Sequence, residues 1–221
     1  MSPRVRRLFA DNIRLMKLSE VCPHITVLDP VGSPPSQYDV RYEIKGLFET
    51  ENGISERVGH VARFKLPSGY PREAPVCHML TPVFHPNIAP HAVCIVDYWT
   101  AGESLPDLII RVGEMISYQS YNVKSPLNGE AAKWASEHIS RFPIDAVDLA
   151  AAYALEDVIV TVEDIERLAS QVAATDETQA LESVSAANTD RPPLVVPPRR
   201  MPVRVTIEEL ADTPSEYRWR S

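Results

Sequence analysis

The chain has 221 residues, a hydrophobic content of 44%, a charged content of 24% and a formal net charge of -8. This length fits one domain with an extension, and the composition is ordinary for a globular chain. No run of about 18 apolar residues is present to span a bilayer, and the first residues lack the apolar core of a secretory signal. The sequence therefore predicts a cytoplasmic protein with no membrane partner.

The negative charge is concentrated at the C-terminal end. Residues 1–142 contain 15 acidic and 15 basic side chains, whereas residues 143–221 contain 15 acidic and 7 basic ones. Nucleic-acid binding calls for a basic patch with aromatic platforms, which neither half offers. The cysteines Cys22, Cys77 and Cys94 are widely spaced and lack metal-ligand spacing. We therefore expect free thiols in a reducing compartment, with no nucleic acid, metal or cofactor.

Residues 3–18 are predicted to form a helix with two contrasting faces. At about 100° per residue, one arc is apolar and the opposite arc is basic, without an acid inside it. A solvated charged face is the usual meaning of such an arc, but it also suits the docking of an acidic partner. The apolar side chains are Val5, Leu8, Phe9, Ile13, Leu15 and Met16, and the basic ones are Arg6, Arg7, Arg14 and Lys17.

The next part of the chain has the pattern of β-strands. It is rich in β-branched and aromatic residues, alternates between polar and apolar positions, and is divided by Gly- and Pro-rich turns. Short connections between consecutive strands predict an antiparallel meander. The predicted strands are Ile25–Leu28, Tyr38–Leu47, Val58–Leu66 and Val76–Leu80.

The stretch from Thr81 to Trp99 is the most unusual part of the sequence. Three prolines occur within nine residues, which predicts a stiff, irregular loop, because each ring fixes φ and removes a backbone donor. Cys94 follows Asn87 by seven residues in this loop. The pair suits a sulfur nucleophile with a positioned amide donor for an oxyanion. Alternatively, Cys94 is a small buried hydrophobe, as free cysteines often are.

Helical patterns follow this loop, at Leu105–Gln119 and Gly129–Arg141. One helix, a four-stranded meander, a long loop and further helices together predict an α+β domain. We place this domain at residues 1–142, followed by an acidic extension at residues 143–221.

The extension is predicted to be partly helical and partly flexible. Two similar stretches each combine an extended piece with a Thr cap and an acid three residues on, which is a helix-start pattern. Between them the chain is polar and then Pro-rich, which predicts a linker with extended polyproline II segments. The segments are an Ala-rich helix at Asp145–Asp157, the helix starts in Val158–Ile165 and Val203–Leu210, the linker Ala173–Arg191, the pairs Pro192-Pro193 and Pro197-Pro198, and a docking tail ending in Tyr217 and Trp219.

Four motifs in a fixed order resemble the ubiquitin-conjugating enzyme (E2) family over roughly residues 3–142. The resemblance implies a UBC-like fold and an acyl transferase. Such an enzyme takes a ubiquitin-like modifier from an E1-like activating enzyme as a cysteine thioester and passes it to a protein target, with a lysine amine as the expected acceptor. The motifs are Gly69-Tyr70-Pro71-x-x-Ala74-Pro75, Thr81-Pro82-Val83-Phe84-His85-Pro86-Asn87-Ile88, Cys94, and Ser125-Pro126-Leu127-Asn128-x-Glu130-Ala131-Ala132.

The resemblance also implies a role for individual residues. Cys94 would carry the thioester, and Asn87 would be the motif asparagine, which supports the loop and stabilises the oxyanion during attack by an amine. His85 belongs to the same motif, where its usual role is structural. Ser125 occupies the gate position beside the cysteine, where family members carry Asp or Ser. The first helix, with its basic face, is where the family meets its activating enzyme.

The chain departs from the family pattern at several points. The spacing from Asn87 to Cys94 is one residue shorter than is typical, so a tighter loop is expected. Arg72 and Ser104-Leu105-Pro106 stand where many E2 proteins present an aromatic residue and Ser-Pro-Ala to RING-type ligases, which speaks against a RING ligase partner. Bacterial E2-like proteins of anti-phage modifier operons, in which ligases are often absent, are the subgroup that this pattern suggests.

Two other functions compete with the conjugating enzyme. An E2 fold without catalysis could serve as a binding module that presents a modifier, although the intact Cys94 and His-Pro-Asn motif favour an enzyme. A Cys-His hydrolase is the rival catalytic function, and His85 and His91 are the histidines nearest to Cys94 in sequence; His91 could raise the reactivity of the thiol or simply be solvated. That chemistry needs a third orienting group and a cleft for the thiol, neither of which this loop indicates.

Overall fold

The computed structural model describes residues 1–95, 99–154 and 158–186. The predicted Pro-rich pairs, the second helix start at Val203–Leu210 and the tail with Tyr217 and Trp219 lie outside these residues. Within them the elements are α1 (Pro3–Val21), β1 (Ile25–Gly32), β2 (Pro35–Thr50), β3 (Gly53–Lys65), β4 (Val76–Met79), β5 (Ile88–Ala89), β6 (Ala92–Val93), α2 (Leu105–Ile116), α3 (Gly129–Glu137), α4 (Ala151–Ala154) and α5 (Val162–Ala186).

Helix α1 begins with an N-cap serine followed by a proline in its first turn. The Ser2 hydroxyl accepts a hydrogen bond from the Val5 amide at 3.3 Å, and a proline occupies the first turn, where a missing N–H costs nothing. Leu8, Leu15 and Leu18 are buried along one stripe of the helix. This stripe packs against the sheet and against α2, as the amphipathic pattern predicted.

The main sheet contains four strands in the order β1-β2-β3-β4, all antiparallel. The predicted α+β architecture and the meander are therefore confirmed. The strands β2 and β3 are longer than predicted, because a tight turn at residues 51–52 joins them directly. Gly53 closes this turn with a φ of 106°, a conformation that favours glycine. On the inner face of β2, Tyr42 donates its hydroxyl proton to the Ile109 carbonyl at 2.9 Å and so fastens α2 to the sheet.

Helix α2 is almost fully buried and has defined ends. Ser104 and Asp107 form a reciprocal capping box at its start. The helix stops at Ile116 instead of continuing to Gln119, because Tyr118 adopts a φ of 59° that ends the regular hydrogen-bond ladder.

Helix α3 is also shorter than the predicted Gly129–Arg141. It ends at Glu137, where the His138 amide bonds to the Ala135 carbonyl at 3.2 Å, one position nearer than in an α-helix. A 3-10 turn at Ile139–Arg141 completes the predicted segment.

The predicted helix at Asp145–Asp157 is wrong over residues 145–150. The amides of Ile144 and Asp145 instead bind the Ser117 carbonyl at the end of α2. Asp148 then accepts hydrogen bonds from the Ala150 and Ala151 amides at 3.0 and 2.9 Å, which delays the helix start to α4. An extended segment therefore runs along α2 before the chain turns helical.

The core continues into this segment. Leu149 is 1% exposed and belongs to the main hydrophobic cluster. It packs against Gly113 of α2, where an added Cβ would lie 2.3 Å from Leu149 Cδ1. The glycine thus creates the space that the leucine fills.

Helix α5 lies against α1. It starts with the predicted cap, in which the Thr161 hydroxyl donates to Asp164 at 2.7 Å and accepts from the Asp164 amide at 3.2 Å. The predicted linker at Ala173–Arg191 is wrong as far as Ala186, because α5 continues to that residue through good helix formers. In the part of the chain that is described, no helix combines the length and apolarity needed to cross a bilayer.

Candidate active site

A small hairpin brings Cys94 back beside Asn87. The strands β5 and β6 pair Ile88 with Val93, and their turn contains the exposed His91. The Cys94 amide closes the hairpin by donating to the Asn87 carbonyl at 2.9 Å. The sequence predicted an irregular loop here, whereas the structure forms a short antiparallel pair, which explains how the tight spacing is accommodated.

His85 is a buried, neutral side chain behind this hairpin. It is 0% exposed, and its Nδ1 accepts a hydrogen bond from the Asn87 amide at 3.1 Å. Burial lowers the pKa of His85 to about 3, against a smaller opposing effect of the Ser120 backbone. The ring packs edge-on against Tyr118, with 4.6 Å between centroids. This arrangement holds the turn and leaves the ring poorly suited to proton transfer at neutral pH.

The Asn87 side chain ties the hairpin to the loop that follows α2. Its Oδ1 accepts from the Asn122 amide at 2.7 Å, and its Nδ2 donates to the Asn122 carbonyl at 2.9 Å. A longer contact of 3.4 Å joins Nδ2 to the Ser125 carbonyl. Behind it, the Pro86 carbonyl accepts from the amides of Leu127 and Asn128. The asparagine turn and the Ser125 loop are thus one connected unit.

Three of the predicted site residues line a single pocket. Cys94 is partly exposed, Asn87 is 5% exposed, and Ser125 is exposed at the rim. We call this the Cys94 pocket, and its volume is about 180 Å³. His85 supports it from behind without lining it. The residues that line the pocket are Asn87, Cys94, Arg111, Glu114, Met115, Ser120, Tyr121, Asn122 and Ser125.

Helix α2 contributes two charged residues to the Cys94 pocket that the sequence did not single out. Arg111 forms an ion pair with Glu103. Glu114 is half-buried, and burial raises its pKa, with a further increase from Asp148 and an opposing effect of Arg111. Only one feature of the sequence pointed to this pair. Arg111 and Glu114 are three residues apart, which places both side chains on the same side of a helix.

The basic residues of α1 do not form one exposed face. Arg6 is exposed, and Lys17 lies at the surface, 3.4 Å from Glu20. Arg14 lines a polar depression together with Tyr153 of α4. The predicted docking arc therefore remains open at Arg6 and Lys17 and is partly covered at Arg14.

Arg7 turns inward, contrary to the predicted basic face. Its Nε donates to the fully buried Asp11 at 2.6 Å, and its other nitrogens donate to the carbonyls of Ala101 and Glu103. The Tyr70 hydroxyl also donates to Asp11. The helical pattern could not reveal this, because the loop before α2 folds over that side of the helix.

The other two cysteines are buried. Cys22 and Cys77 are each 2% exposed. Burial raises the pKa of the Cys77 thiol well above its usual value, which makes it a poor nucleophile. Cys94 is the accessible thiol among the three.

Comparison with known proteins identifies a family match and several solved structures with limited similarity. The family model described as "Ubiquitin-conjugating enzyme" matches residues 37–148, just over half of the chain. The ubiquitin conjugating enzyme E2 UbcA1 from Agrocybe aegerita is similar at 20% identity and a TM-score of 0.41, over 52% of this chain and 83% of that one. A ubiquitin conjugating enzyme E2 domain from Toxoplasma gondii is similar at 18% identity and a TM-score of 0.42, over 68% of this chain and 99% of that one. The family match includes His85, Asn87, Cys94 and Ser125.

Proposed function

Because this chain belongs to the ubiquitin-conjugating enzyme family, we propose that it is an active conjugating enzyme that carries a ubiquitin-like modifier as a thioester on Cys94. The modifier comes from an E1-like activating enzyme and passes to a nucleophile of a protein target, with a lysine amine as the acceptor. This chemistry needs a thiol and positioned hydrogen-bond donors, without a cofactor in this chain. We assign the protein to the cytoplasm of a bacterium, in a modifier system for anti-phage defence.

The accessibility of the three thiols is the observation that carries this proposal. Cys94 is partly exposed in the Cys94 pocket, next to the asparagine turn, while Cys22 and Cys77 are 2% exposed in the core. A thioester carrier must expose its sulfur to two large proteins in turn, the activating enzyme and the acceptor. Among the three cysteines, Cys94 alone meets that requirement.

Asn87 has two roles in the proposed reaction. Its short bonds of 2.7 and 2.9 Å to the Asn122 backbone hold the Ser125 loop against the hairpin. The second Nδ2 hydrogen makes the longer bond of 3.4 Å to Ser125. This weaker contact is the one that can be exchanged for the oxyanion when an amine attacks.

The activating enzyme that delivers the modifier docks on the surface of α1. We propose Arg6 and Lys17 as the residues that meet an acidic patch of the activating enzyme, with Arg14 beside them and Arg7 supporting the helix from inside. A RING-type ligase is not part of the proposal, because Arg72 and Ser104-Leu105-Pro106 replace the contact residues of the family.

A charging assay tests the proposal. With the cognate activating enzyme, modifier and ATP, we expect a thiol-sensitive adduct on a non-reducing gel. The adduct should vanish in Cys94→Ala and become a more stable ester in Cys94→Ser. Cys77→Ser serves as a matched control and should charge normally. An adduct that persists in Cys94→Ala would move the chemistry to another residue, and a chain that never charges would be a binding module.

A further inference from the structure

Helix α2 presents a carboxylate to the Cys94 pocket, where the proposed function places the acceptor amine during transfer. Arg111, Glu114 and Met115 lie on the same face of α2, at spacings of three and four residues, and all three line the pocket. Cys94 and Ser125 line it from the hairpin and the following loop. A pocket of about 180 Å³ brings these groups within reach of one small substrate group, such as the end of a lysine side chain.

We propose that Glu114 is the general base that takes a proton from the attacking amine during transfer from Cys94. This inference rests on the proposed function and deepens it. A lysine side chain is protonated at neutral pH, since its ordinary pKa is about 10.4, and an ammonium group cannot attack a thioester. A carboxylate in the pocket solves this problem if it can hold the amine and receive its proton.

The carboxylate of Glu114 is available for this task. It accepts no hydrogen bond from the described residues. Arg111, one turn earlier, is paired with Glu103, although its charge still acts on Glu114 and lowers the pKa of that carboxyl. The half-buried position of Glu114 raises its pKa, which improves a carboxylate as a base. The gate residue Ser125 offers a hydroxyl instead of a carboxylate. Of the described residues that line the pocket, Glu114 is the one with a carboxylate.

The proposed step balances as follows. The acceptor ammonium gives one proton to Glu114 and becomes a neutral amine. Its nitrogen attacks the thioester carbonyl and forms the C–N bond, and the oxyanion is held by the Asn87 amide. Collapse of this intermediate breaks the C–S bond. The second proton of the nitrogen neutralises the departing Cys94 thiolate, and Glu114 releases its proton to water.

A discharge experiment isolates this step from charging. A short peptide aryl thioester acylates Cys94 directly, and free lysine then serves as the acceptor, with mass spectrometry following the loss of the acyl group. We expect Glu114→Gln to acylate normally and to discharge about 10²-fold more slowly at pH 7. The deficit should narrow as the pH rises towards 9, because the neutral fraction of lysine grows about tenfold per unit.

Three further variants separate catalysis from structure. Glu130→Gln, an exposed carboxylate in the first turn of α3, should discharge like the wild type. Glu114→Asp should discharge faster than Glu114→Gln, and added formate should accelerate Glu114→Ala. A deficit in Glu114→Gln that is constant from pH 7 to 9, or equal rates for Glu114→Asp and Glu114→Gln, would overturn the base assignment. A wild-type chain whose Cys94 resists acylation would instead overturn the proposed function.

Discussion

Asn87 and Asn122 are joined by a reciprocal pair of hydrogen bonds between the side chain of the first and the backbone of the second. Asn87 Oδ1 accepts from the Asn122 amide at 2.7 Å, and Asn87 Nδ2 donates to the Asn122 carbonyl at 2.9 Å. Both groups are shielded from water in part, which strengthens such bonds. The side chain of Asn87 therefore fixes the distance between the cysteine hairpin and the Ser125 loop.

Removal of this side chain should separate charging from discharge. We expect Asn87→Ala to charge at Cys94 nearly normally and to transfer to lysine about 10²-fold more slowly, because it loses both the loop anchor and an oxyanion donor. Single-turnover discharge measures the effect. Asn52→Ala is the matched control and should stay close to wild type, since Asn52 is an exposed asparagine in the turn between β2 and β3 and does not line the Cys94 pocket. Equal losses in the two variants would count against a role for the Asn87 amide.

Charge reversal on α1 tests the docking surface. Arg6→Glu combined with Lys17→Glu should slow charging and weaken its dependence on salt, because exposed charges steer association over distances comparable to the Debye length. The melting temperature should change little, since exposed charges contribute little to folding. Charging that proceeds at the wild-type rate would leave these residues as a solvated face.

Arg7 should behave in the opposite way. Arg7→Ala leaves the buried Asp11 carboxylate without its ion-pair partner and frees two carbonyls of the loop before α2. We expect a loss of about 3 kcal/mol in the free energy of unfolding, measured by urea denaturation. Arg6→Ala on the same helix is the control and should cost less than about 0.5 kcal/mol. Similarly small losses in Arg7→Ala and Arg6→Ala would show that the ion pair between Arg7 and Asp11 contributes little to stability.

Two buried histidines predict a loss of stability in acid. Burial lowers the pKa of His85 to about 3 and that of His60 to about 4, with Arg57 adding to the second effect. The unfolded chain takes up protons at these residues below its pKa of about 6.5, whereas the folded chain does not. Stability is therefore full above pH 6.5 and falls as the pH drops towards 4, by about 1.4 kcal/mol per unit for each histidine.

The pH dependence can be assigned by substitution. Urea unfolding at pH 7, 6 and 5 gives the change in the free energy of unfolding with pH for the wild type. The His60→Gln variant should also lose stability in acid, but with a smaller change per pH unit. The same slope in both chains would show that His60 is not a source of the acid sensitivity.

Truncation tests where the folded domain ends. A chain that stops after Ala154 keeps Leu149 in its place and should retain its melting temperature and its charging. A chain that stops after Phe142 loses Leu149, whose burial against Gly113 stabilises by roughly 2 kcal/mol, and exposes one side of α2. We expect several degrees of difference between the two chains in thermal melting. Equal melting temperatures would place the boundary at residue 142.

Local periodicity was sufficient to predict α1 and the meander. The stripe of Leu8 and Leu15 and the alternation around Tyr42 are signals within one element, so they carry over directly to the fold. The same logic was misleading for Arg7, because its partners Ala101 and Glu103 are distant in sequence. The stretch that begins at Asp145 was predicted to be helical from its alanine content, yet its first residues are extended. Hydrogen bonds to the end of α2 outweigh the helix propensity there.

The candidate site was predictable only in part. The prolines and Cys94 marked the loop, and the resemblance to a family indicated Asn87 and Ser125. Glu114 left a weaker mark, its spacing of three residues from Arg111, because an acid among the apolar positions of α2 resembles an ordinary solvent-facing residue. Its relation to Cys94 arises from the packing of α2 beside the hairpin, which no local pattern encodes.

The absence of a side chain at Gly113 allows the chain after α3 to pack along α2. A methyl group there would meet both Leu149 and Tyr42, at 2.3 and 3.1 Å from their nearest carbons. A relative with a side chain at this helix position needs either a residue smaller than Leu149 opposite it or a different path for its C-terminal segment. Positions 113 and 149 together are therefore a marker of this architecture, by which related sequences can be sorted before any of their structures is determined.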